Sequence, residues 1–333
     1  MLIGEGAAAE LPAILGRFAA VAVVRDDAVP ALGLEAPELA VRGGEELKRW
    51  DRLEEVVAFL EEAGLRRDGC VVAAGGGTVG DLAGFAAAIW QRGVAHVQVP
   101  TTLLAMVDSA IGGKTAIDSE RAKNAVGAFW QPAAVVADLR RLSTLPEVQL
   151  RSGLAEVVKY AVAMDADLAG ILQRQADPIL ARDSAALEPV IARCVELKGA
   201  VVEADERETG GRRAILNYGH TVGHALESAA GYAVLHGPAV AQGMRAEVRI
   251  AERLGLCGPE LVEAQDELLA RFGLPGQLPG VPIEEVLAAM PRDKKSAAGR
   301  VRWVLPRELG RAEPGHEVPD HVVEEVLTEL AGG

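Results

Sequence analysis

Residues 70–89 of the chain read CVVAAGGGTVGDLAGFAAAI, a pattern that sets the fold class of the first half. The opening run, Cys70–Ala74, is short and apolar, as in a buried strand. The closing part carries apolar side chains at helical spacing, at Leu82, Phe85, Ala86 and Ile89. A strand followed at once by a glycine-rich turn and a helix predicts one unit of a parallel α/β sheet.

The glycine-rich turn has the spacing GxGxxG, at Gly75, Gly77 and Gly80. Glycines there let the backbone approach a pyrophosphate, whose charge the N-terminus of the following helix stabilises. A tight structural turn is the alternative, because the acidic residue expected about 20 positions downstream is missing and that region holds His96–Val99. Asp26, which ends an earlier apolar run, is then a candidate for the ribose hydroxyls. The turn indicates a dinucleotide site, but not the standard strand order.

Further strands and helices alternate on both sides of this unit. Apolar runs predict strands at 20–24, 94–99 and 133–137, and an apolar stripe at helical spacing predicts a helix over 53–60. From about Leu154 onward the periodicity is mostly helical, with a brief strand predicted over 301–305. We therefore expect an α/β domain joined to a largely helical one, with a ligand cleft between them.

Length, charge and cysteine content exclude several classes of protein. A length of 333 residues suggests about two domains. The 34 Lys and Arg against 48 Asp and Glu give a net charge of −14, which argues against a duplex-DNA or anionic-membrane binder. The three cysteines form no CxxC motif, the first residues lack a basic leader, and no apolar run approaches a bilayer span. These features predict a soluble cytoplasmic protein without a disulfide framework.

Histidines cluster in one short region. Of the six in the chain, His220, His224 and His236 fall within 17 residues. His220 and His224 share a face if the segment is helical, so they are candidates for joint metal ligands, and core or surface histidines are the alternative. A carboxylate would complete such a site, and the candidates are Glu156, Asp205 and Glu227.

Cations are the third feature. Lys198 lies on an apolar helical stripe over 191–202, so its side chain either snorkels to solvent or meets an anion. Glu156 and Lys159 have the spacing of a surface helix pair. Further basic residues lie among Gly, Asn and Thr, at Arg92, Lys114, Lys123 and Arg213. Together these cations could form the pocket that an acidic protein needs for a phosphorylated substrate.

Several long segments, in order, carry a family resemblance. They are residues 75–118, 122–132 (AKNAVGAFWQP), 152–159 (SGLAEVVK), 205–227 (DERET through NYGHTVGHALE) and 236–244 (HGPAVAQGM). Over 43–295 the chain resembles the 3-dehydroquinate synthase family, within the sugar-phosphate cyclases. The resemblance implies a Rossmann-like α/β NAD-binding domain over 1–150 and a mostly α-helical metal- and substrate-binding domain over 151–333.

The resemblance also implies roles for individual residues. Glu156, His220 and His236 match the ligands of a divalent zinc or cobalt ion, so His224 would face the substrate phosphate instead. His224, Lys159 and Asp108 match catalytic positions. The implied substrate-binding residues are Arg92, Lys114, Lys123, Asn124, Lys198, Arg213, Asn217, Lys294 and Lys295. The implied NAD-binding residues are Asp26, Gly44, Glu45, Lys48, Gly76, Gly77, Thr78, Val79, Gly80, Asp81, Thr101, Thr102, Leu142, Ser143 and Thr144.

Within those sets the resemblance gives three finer expectations. Lys198 and Arg213 match the pair that holds the substrate carboxylate. One of Lys294 and Lys295 would serve the phosphate. Arg92 matches an arginine that reaches the site of a neighbouring subunit, which implies a homodimer.

The implied reaction is that of a lyase of the shikimate pathway. It converts 3-deoxy-D-arabino-heptulosonate 7-phosphate to 3-dehydroquinate and phosphate through transient oxidation by NAD, elimination, re-reduction and aldol closure. A sister cyclase of secondary metabolism, of the 2-deoxy-scyllo-inosose or 2-epi-5-epi-valiolone synthase type, is the alternative. Its substrates carry no carboxylate, so the pair Lys198 and Arg213 favours the first activity. A polyol dehydrogenase or a non-catalytic binding protein on the same fold are further alternatives.

Overall fold

The structure is a computed structural model and describes residues 1–120, 122–276, 280–290 and 301–332. The chain divides into two compact units. The first comprises Met1–Pro146 and Ser184–Gly199, and the second comprises the described residues of Glu147–Asp183 and Ala200–Gly333. The segment Ser184–Gly199 thus belongs to the first unit although it lies late in the chain.

The described residues of the first unit contain eight strands. They are β1 (Leu2–Gly4), β2 (Val21–Asp26), β3 (Glu38–Val41), β4 (Cys70–Gly75), β5 (Ala95–Pro100), β6 (Lys114–Ile117), β7 (Val126–Phe129) and β8 (Ala134–Asp138). Six of them form a parallel sheet in the order β1-β8-β5-β4-β2-β3, and β6 and β7 form an antiparallel pair. This order differs from the standard dinucleotide-binding order, as the sequence indicated.

Apolar side chains cover both faces of the sheet. On β4, Val71 and Ala73 pack into one core cluster while Val72 and Ala74 pack into another, because successive strand residues point to opposite faces. Leu82 of a covering helix belongs to the first cluster. The helices of this unit are α1 (Leu11–Leu15), α2 (Trp50–Glu62), α3 (Gly77–Ile89) and α6 (Ser184–Ala204) up to Gly199. A strand buried on both faces explains why its sequence is continuously apolar.

The second unit is mostly helical. Its helices are α4 (Glu147–Met164), α5 (Ala166–Leu180), α7 (His220–Ala229), α8 (His236–Arg253), α9 (Pro259–Arg271), α10 (Ile283–Ala289) and α11 (Asp320–Gly332). An antiparallel pair of strands, β9 (Trp303–Glu308) and β10 (Arg311–His316), packs with them. The predicted fold class, a Rossmann-like α/β sheet followed by a mostly helical C-terminal part, is confirmed. None of the helices in the described ranges is both long and apolar enough to span a bilayer.

Helices α7 and α8 pack against each other at very short range. A side chain at Gly243 on α8 would overlap the backbone carbonyl of Gly219, which immediately precedes α7. Gly219 itself has φ +79°, a conformation that side-chain-bearing residues rarely adopt. The two glycines therefore allow the close approach that places the first turns of α7 and α8 side by side.

Candidate functional site

The residues that the resemblance assigns to NAD lie along one edge of the parallel sheet. Asp26 ends β2, Gly44 follows β3, Gly76 follows β4 and Thr101 follows β5. Leu142–Thr144 lie in the short helix after β8. From β2 the chain continues outward to β3, whereas from β4 it continues to β5 on the other side. This switch point between β2 and β4 is the position at which open α/β sheets bind ligands.

The glycine-rich turn at that edge packs closely against Ser109. Helix α3 begins at Gly77, and a Cβ atom there would lie 2.8 Å from the Ser109 hydroxyl oxygen. The backbone N–H of Gly44 donates to the Thr78 hydroxyl at 3.2 Å, which ties the loop after β3 to the first turn of α3. A glycine turn at a helix N-terminus fits a pyrophosphate.

A charged cluster surrounds Lys48 beside this turn. Its Nζ lies 2.6 Å from Asp81 Oδ2 and also donates to the side-chain oxygen of Asn124. Burial lowers the pKa of Lys48, but Asp81 and neighbouring carboxylates outweigh burial and raise it above its ordinary value. Lys123 Nζ lies 3.3 Å from Glu45 Oε1. The structure thus brings two predicted substrate residues, Lys123 and Asn124, next to three predicted NAD residues.

Lys198 meets an anion rather than snorkelling. Its side chain is almost buried, and its Nζ lies 2.8 Å from Asp108 Oδ1. It also donates to the Asp108 carbonyl oxygen at 2.7 Å. Two bonds from one residue fix the ammonium group, so Asp108 determines where this cation lies.

Glu156, His220 and His236 come together in the second unit as the resemblance implies. Glu156 lies on α4, and the two histidines are the first residues of α7 and α8. Glu156 Oε1 lies 3.6 Å from His220 Nε2 and 3.3 Å from His236 Nε2. The other carboxylate oxygen, Oε2, pairs with the buried Lys159. One oxygen and two imidazole nitrogens thus converge on one point.

The electrostatics of this cluster favour a cation. Burial alone would raise the pKa of Glu156, but Lys159 and the two histidines hold it well below its usual range. Burial lowers the pKa of His236, but the carboxylates of Glu156 and Glu227 outweigh it and raise the pKa to about 10. Burial also holds the pKa of His220 well below its ordinary value. In the metal-free protein Glu156 is therefore ionised, His220 is neutral and His236 carries a proton, which a divalent metal ion would displace to bind one carboxylate and two neutral imidazoles.

The fully buried Glu156 carboxylate provides the test of fit. Within the described part of the chain, Oε1 has no hydrogen-bond partner, although buried polar atoms nearly always have one. A metal ion between Oε1 and the two Nε2 atoms would satisfy it. The residues present therefore fit a metal ion.

The prediction from spacing that His220 and His224 ligate together is wrong. Their rings touch edge to face, with centroids 5.1 Å apart. Yet among the described residues no group of converging metal-ligand atoms contains both of them. His220 joins Glu156 and His236, whereas His224 joins Glu227 and His236. The reason is ring orientation, since His220 Nδ1 faces the Tyr218 carbonyl oxygen at 3.1 Å and so turns Nε2 towards Glu156.

Asp205, also considered as a metal ligand, binds loop backbone instead. Its Oδ1 accepts from the N–H groups of Thr209 and Gly210, both at 2.9 Å. Its Oδ2 accepts from Arg212 at 3.1 Å and Arg213 at 3.4 Å. The N–H of Gly210, followed by the other donors, lowers the pKa of this carboxyl. The loop that carries the buried Arg213 side chain is therefore built around an ionised carboxylate.

The remaining predicted residues occupy different environments. Asn217 ends the short helix Arg212–Asn217, and Lys114 is exposed on β6. Arg92 is exposed and follows Gln91 in a left-handed backbone turn, with φ +64° and +51° respectively. The predicted phosphate residues Lys294 and Lys295 lie outside the described residues.

Asp205 and Glu227 were considered from the sequence only as candidate carboxylate ligands, and the structure places each of them against another partner. Asp205 anchors the loop of Arg213, and Glu227 Oε2 lies 3.4 Å from His236 Nδ1. The signal for Glu227 was in the sequence, because positions 220, 224 and 227 share one face of a helix. Asp205 had no such signal, since its partners are backbone groups.

The chain is similar over nearly its whole length to several solved proteins. The chain is similar to 2-deoxy-scyllo-inosose synthase, solved with carbaglucose-6-phosphate, NAD+ and Co2+ (28% identity, TM-score 0.87, 98% of this chain and 96% of that chain covered). It is also similar to 2-epi-5-epi-valiolone synthase from Streptomyces hygroscopicus subsp. jinggangensis 5008, solved with NAD+ and Zn2+ (27%, 0.91, 99% and 95%). Maleylacetate reductase from Agrobacterium tumefaciens shares the fold (15%, 0.71, 99% and 95%).

Family models give the assignment. The 3-dehydroquinate synthase N-terminal domain matches residues 38–152, and the 3-dehydroquinate synthase C-terminal domain matches residues 153–296. The two matches are contiguous and cover most of the chain. Together with the sheet and the cluster of Glu156, His220 and His236, they show that the chain belongs to the 3-dehydroquinate synthase family.

Proposed function

We propose that the protein is a 3-dehydroquinate synthase, which converts 3-deoxy-D-arabino-heptulosonate 7-phosphate to 3-dehydroquinate and phosphate. The observation that carries this proposal is the presence of two buried cations, Lys198 and Arg213, at the family positions for the substrate carboxylate. Asp108 forms an ion pair with Lys198. Asp205 accepts a hydrogen bond from the backbone of Arg213 and so holds its loop.

The charge of these residues distinguishes between substrates. A buried guanidinium is costly unless an anion compensates it. A keto-acid phosphate offers a carboxylate in addition to its phosphate, and arginine binds carboxylates through two parallel hydrogen bonds. A sugar phosphate without a carboxylate has only its phosphate to offer to cations. The pair therefore favours the acid substrate.

We infer that the protein uses NAD and a divalent metal ion. When bound, NAD supplies a reversible hydride acceptor and the metal ion lowers the pKa of the hydroxyl that is oxidised. Glu156, His220 and His236 would hold the metal ion. The turn at Gly76–Gly80, with Asp81 and Lys48 beside it, would hold the pyrophosphate and ribose of NAD.

The other polar residues would orient the substrate and move protons. His224 lies next to both histidine ligands, with ring centroids 5.1 Å and 6.2 Å away, and would face the phosphate that leaves. Lys159, held against Glu156, is a buried ammonium that would bind a substrate oxygen near the metal ion. Elimination of phosphate takes a proton from the neighbouring carbon, and His224 or the departing phosphate itself would accept it.

We also infer a homodimer in which Arg92 serves the partner's site. The side chain is exposed and its backbone has a positive φ, as does that of Gln91. A strained turn that presents a charged side chain to solvent is typical of a functional position. The phosphate of the substrate is the anion that such an arginine would bind.

A sister cyclase activity is the second candidate. Two solved proteins of that type are 27% and 28% identical to this chain over nearly its whole length. Those two proteins were solved with NAD+ and a divalent metal ion, which both activities need. Only the substrate separates them.

Phosphate release tests the proposal. Purified protein with NAD and Zn2+ is given the seven-carbon keto-acid phosphate, with and without a chelator, while NADH absorbance is followed. The proposal predicts chelator-sensitive phosphate release without net NADH. Release only from sedoheptulose 7-phosphate or glucose 6-phosphate would show a sister cyclase, and accumulating NADH without phosphate would show a dehydrogenase.

A further inference from the structure

The two nitrogens of the His236 ring face two different carboxylates. Nε2 lies 3.3 Å from Glu156 Oε1, and Nδ1 lies 3.4 Å from Glu227 Oε2. Glu227 is almost buried on α7, seven residues after His220 and therefore on the same helix face. The ring is thus fixed between an oxygen of the predicted metal site and a second carboxylate behind it.

Which nitrogen of His236 can bind a metal ion depends on which one keeps its proton. A carboxylate only accepts hydrogen bonds, so the Nδ1–H of His236 donates to Glu227, and a metal ion on the Glu156 side would take the place of the proton on Nε2. His220 is held in the same way, because its Nδ1 faces the Tyr218 carbonyl oxygen at 3.1 Å and a carbonyl also only accepts. Both Nε2 atoms therefore point to the Glu156 side. The two rings differ in their partner, a neutral carbonyl for His220 and a charged carboxylate for His236.

We propose that Glu227 is a positioning residue for the metal site, holding the Nδ1–H of His236 so that Nε2 is a ligand. This rests on the metal site of the proposed function. A carboxylate behind a ligating imidazole fixes its tautomer and raises its basicity, and removing such a partner typically weakens metal binding by about 10 to 100-fold.

A second ion position is the rival explanation. His224, Glu227 and His236 also bring ligand atoms within 4.8 Å of one another, and an ion there would use His236 Nδ1. The structure favours the first interpretation because Glu156 is fully buried and its Oε1 faces a ring nitrogen of both His220 and His236, whereas Glu227 Oε2 holds His236 Nδ1. The oxygen that needs a cation is therefore that of Glu156.

Metal affinity and stoichiometry test this without any assay of activity. Metal-free wild type, Glu227→Ala, Glu227→Gln and His224→Ala are titrated with Zn2+ in competition with a chelator of known affinity. We expect a weakening of about 10 to 100-fold for Glu227→Ala. The amide oxygen of Glu227→Gln still accepts from Nδ1, so its loss should be less than about tenfold. His224→Ala should bind as tightly as wild type.

Cobalt gives a second readout that general destabilisation would not change. The visible absorption of Co2+ reports the number and type of its ligands, and Glu227→Gln should leave that spectrum unchanged because Glu227 is not a ligand. If Glu227→Ala does not fold as judged by circular dichroism, Glu227→Asp replaces it. Aspartate withdraws the carboxylate by one methylene and should weaken binding more than glutamine does.

Three results would overturn the proposal. Unchanged zinc affinity in Glu227→Ala would show that the carboxylate does not act on His236. Two ions per wild-type chain, with one lost in both Glu227→Ala and His224→Ala, would make Glu227 a ligand of a second ion. A wild-type protein that binds no zinc at all would overturn the metal site of the proposed function as well.

Discussion

The carboxylate of Asp205 accepts a hydrogen bond from the backbone of Arg213, eight residues later, with an N···Oδ2 distance of 3.4 Å. Three further N–H groups of the same loop donate to this carboxylate. The loop that bears Arg213 is thus wrapped around one anion, while the Arg213 side chain is buried. Asp205 thus fixes the backbone from which the Arg213 guanidinium extends. Recognition of a substrate carboxylate can therefore be tested by substituting either Arg213 or Asp205.

Replacing Arg213 by lysine should weaken binding of the acid substrate. Lysine keeps the charge but loses the paired donors, and one charge-assisted hydrogen bond contributes about 1.5 to 3 kcal/mol. We expect the KM for the keto-acid phosphate to rise by at least about tenfold, while bound zinc stays stoichiometric. Arg212→Lys is the matched control, because Arg212 is adjacent and exposed. An equal KM in Arg213→Lys and Arg212→Lys would contradict the assigned role.

Substitution of Asp205 should weaken binding of the acid substrate indirectly, by displacing Arg213. Asp205→Ala leaves four backbone N–H groups without their acceptor, so we expect a mobile loop and a raised KM for the acid substrate. Asp205→Asn keeps one carbonyl oxygen and should give a smaller rise. Glu203→Gln removes an equal charge from an exposed residue near the end of α6, which ends just before Asp205, and should change nothing. A KM in Asp205→Ala equal to that of this control would show that the loop does not position Arg213.

The sequence predicted those elements whose apolar pattern is long or strongly periodic. The predicted strand at 70–74 is β4, Cys70–Gly75, and the stripe from Leu82 lies on α3. Strand β3, Glu38–Val41, was not predicted, because only four residues form it and it lies at the sheet edge, where one face is partly exposed. The short pair β6 and β7 depends on contacts between segments rather than on local pattern. The periodicity of apolar residues therefore does not predict such short strands.

The site divides in the same way. Spacing brought out the histidine cluster, and family resemblance selected Glu156, His220 and His236, which converge in the structure. Spacing alone paired His220 with His224, because it shows which residues share a helix face but not how each ring turns. That orientation comes from the Tyr218 carbonyl and the Glu227 carboxylate, which belong to the three-dimensional arrangement.

Histidine 96 should make the stability of the first unit depend on pH. Its ring is buried on β5, and neither ring nitrogen has a hydrogen-bond partner in the described ranges. Burial lowers the pKa of His96 from 6.5 to about 4. The unfolded chain therefore binds a proton between these values that the folded chain rejects, so stability falls as pH falls through this window. Between pH 7 and pH 5 the loss is about 2 kcal/mol.

Substitution of His96 separates its contribution to the pH dependence of stability from that of other titrating groups. His96→Leu removes the ring while keeping an apolar side chain beside Gly84 and Thr115, so the variant should lose less stability than wild type on acidification. The measurement is urea unfolding of both proteins at pH 7 and pH 5, at constant zinc. The same loss in both proteins would mean that His96 does not titrate on unfolding.

Complementation tests whether Arg92 serves the partner's site. Arg92→Ala and His220→Ala should each be nearly inactive as homodimers. In a hybrid dimer, the Arg92→Ala chain keeps its own metal ligands and receives Arg92 from its partner. One of the two sites is then complete, so the hybrid should show about half the wild-type activity. The hybrid is obtained by co-expression with two different tags and purification on both.

The control pairs two variants that both lack a metal ligand. A hybrid of Glu156→Ala with His220→Ala has a defective metal site in each chain and should stay inactive, because ligands of one site come from one chain. If the Arg92→Ala hybrid is equally inactive, Arg92 acts within its own chain. A monomeric wild type in sedimentation would likewise contradict action across an interface. Activity in the hybrid of Arg92→Ala with His220→Ala, but not in the control hybrid, would show that Arg92 acts across a dimer interface. Neither parent variant can form a complete site by itself.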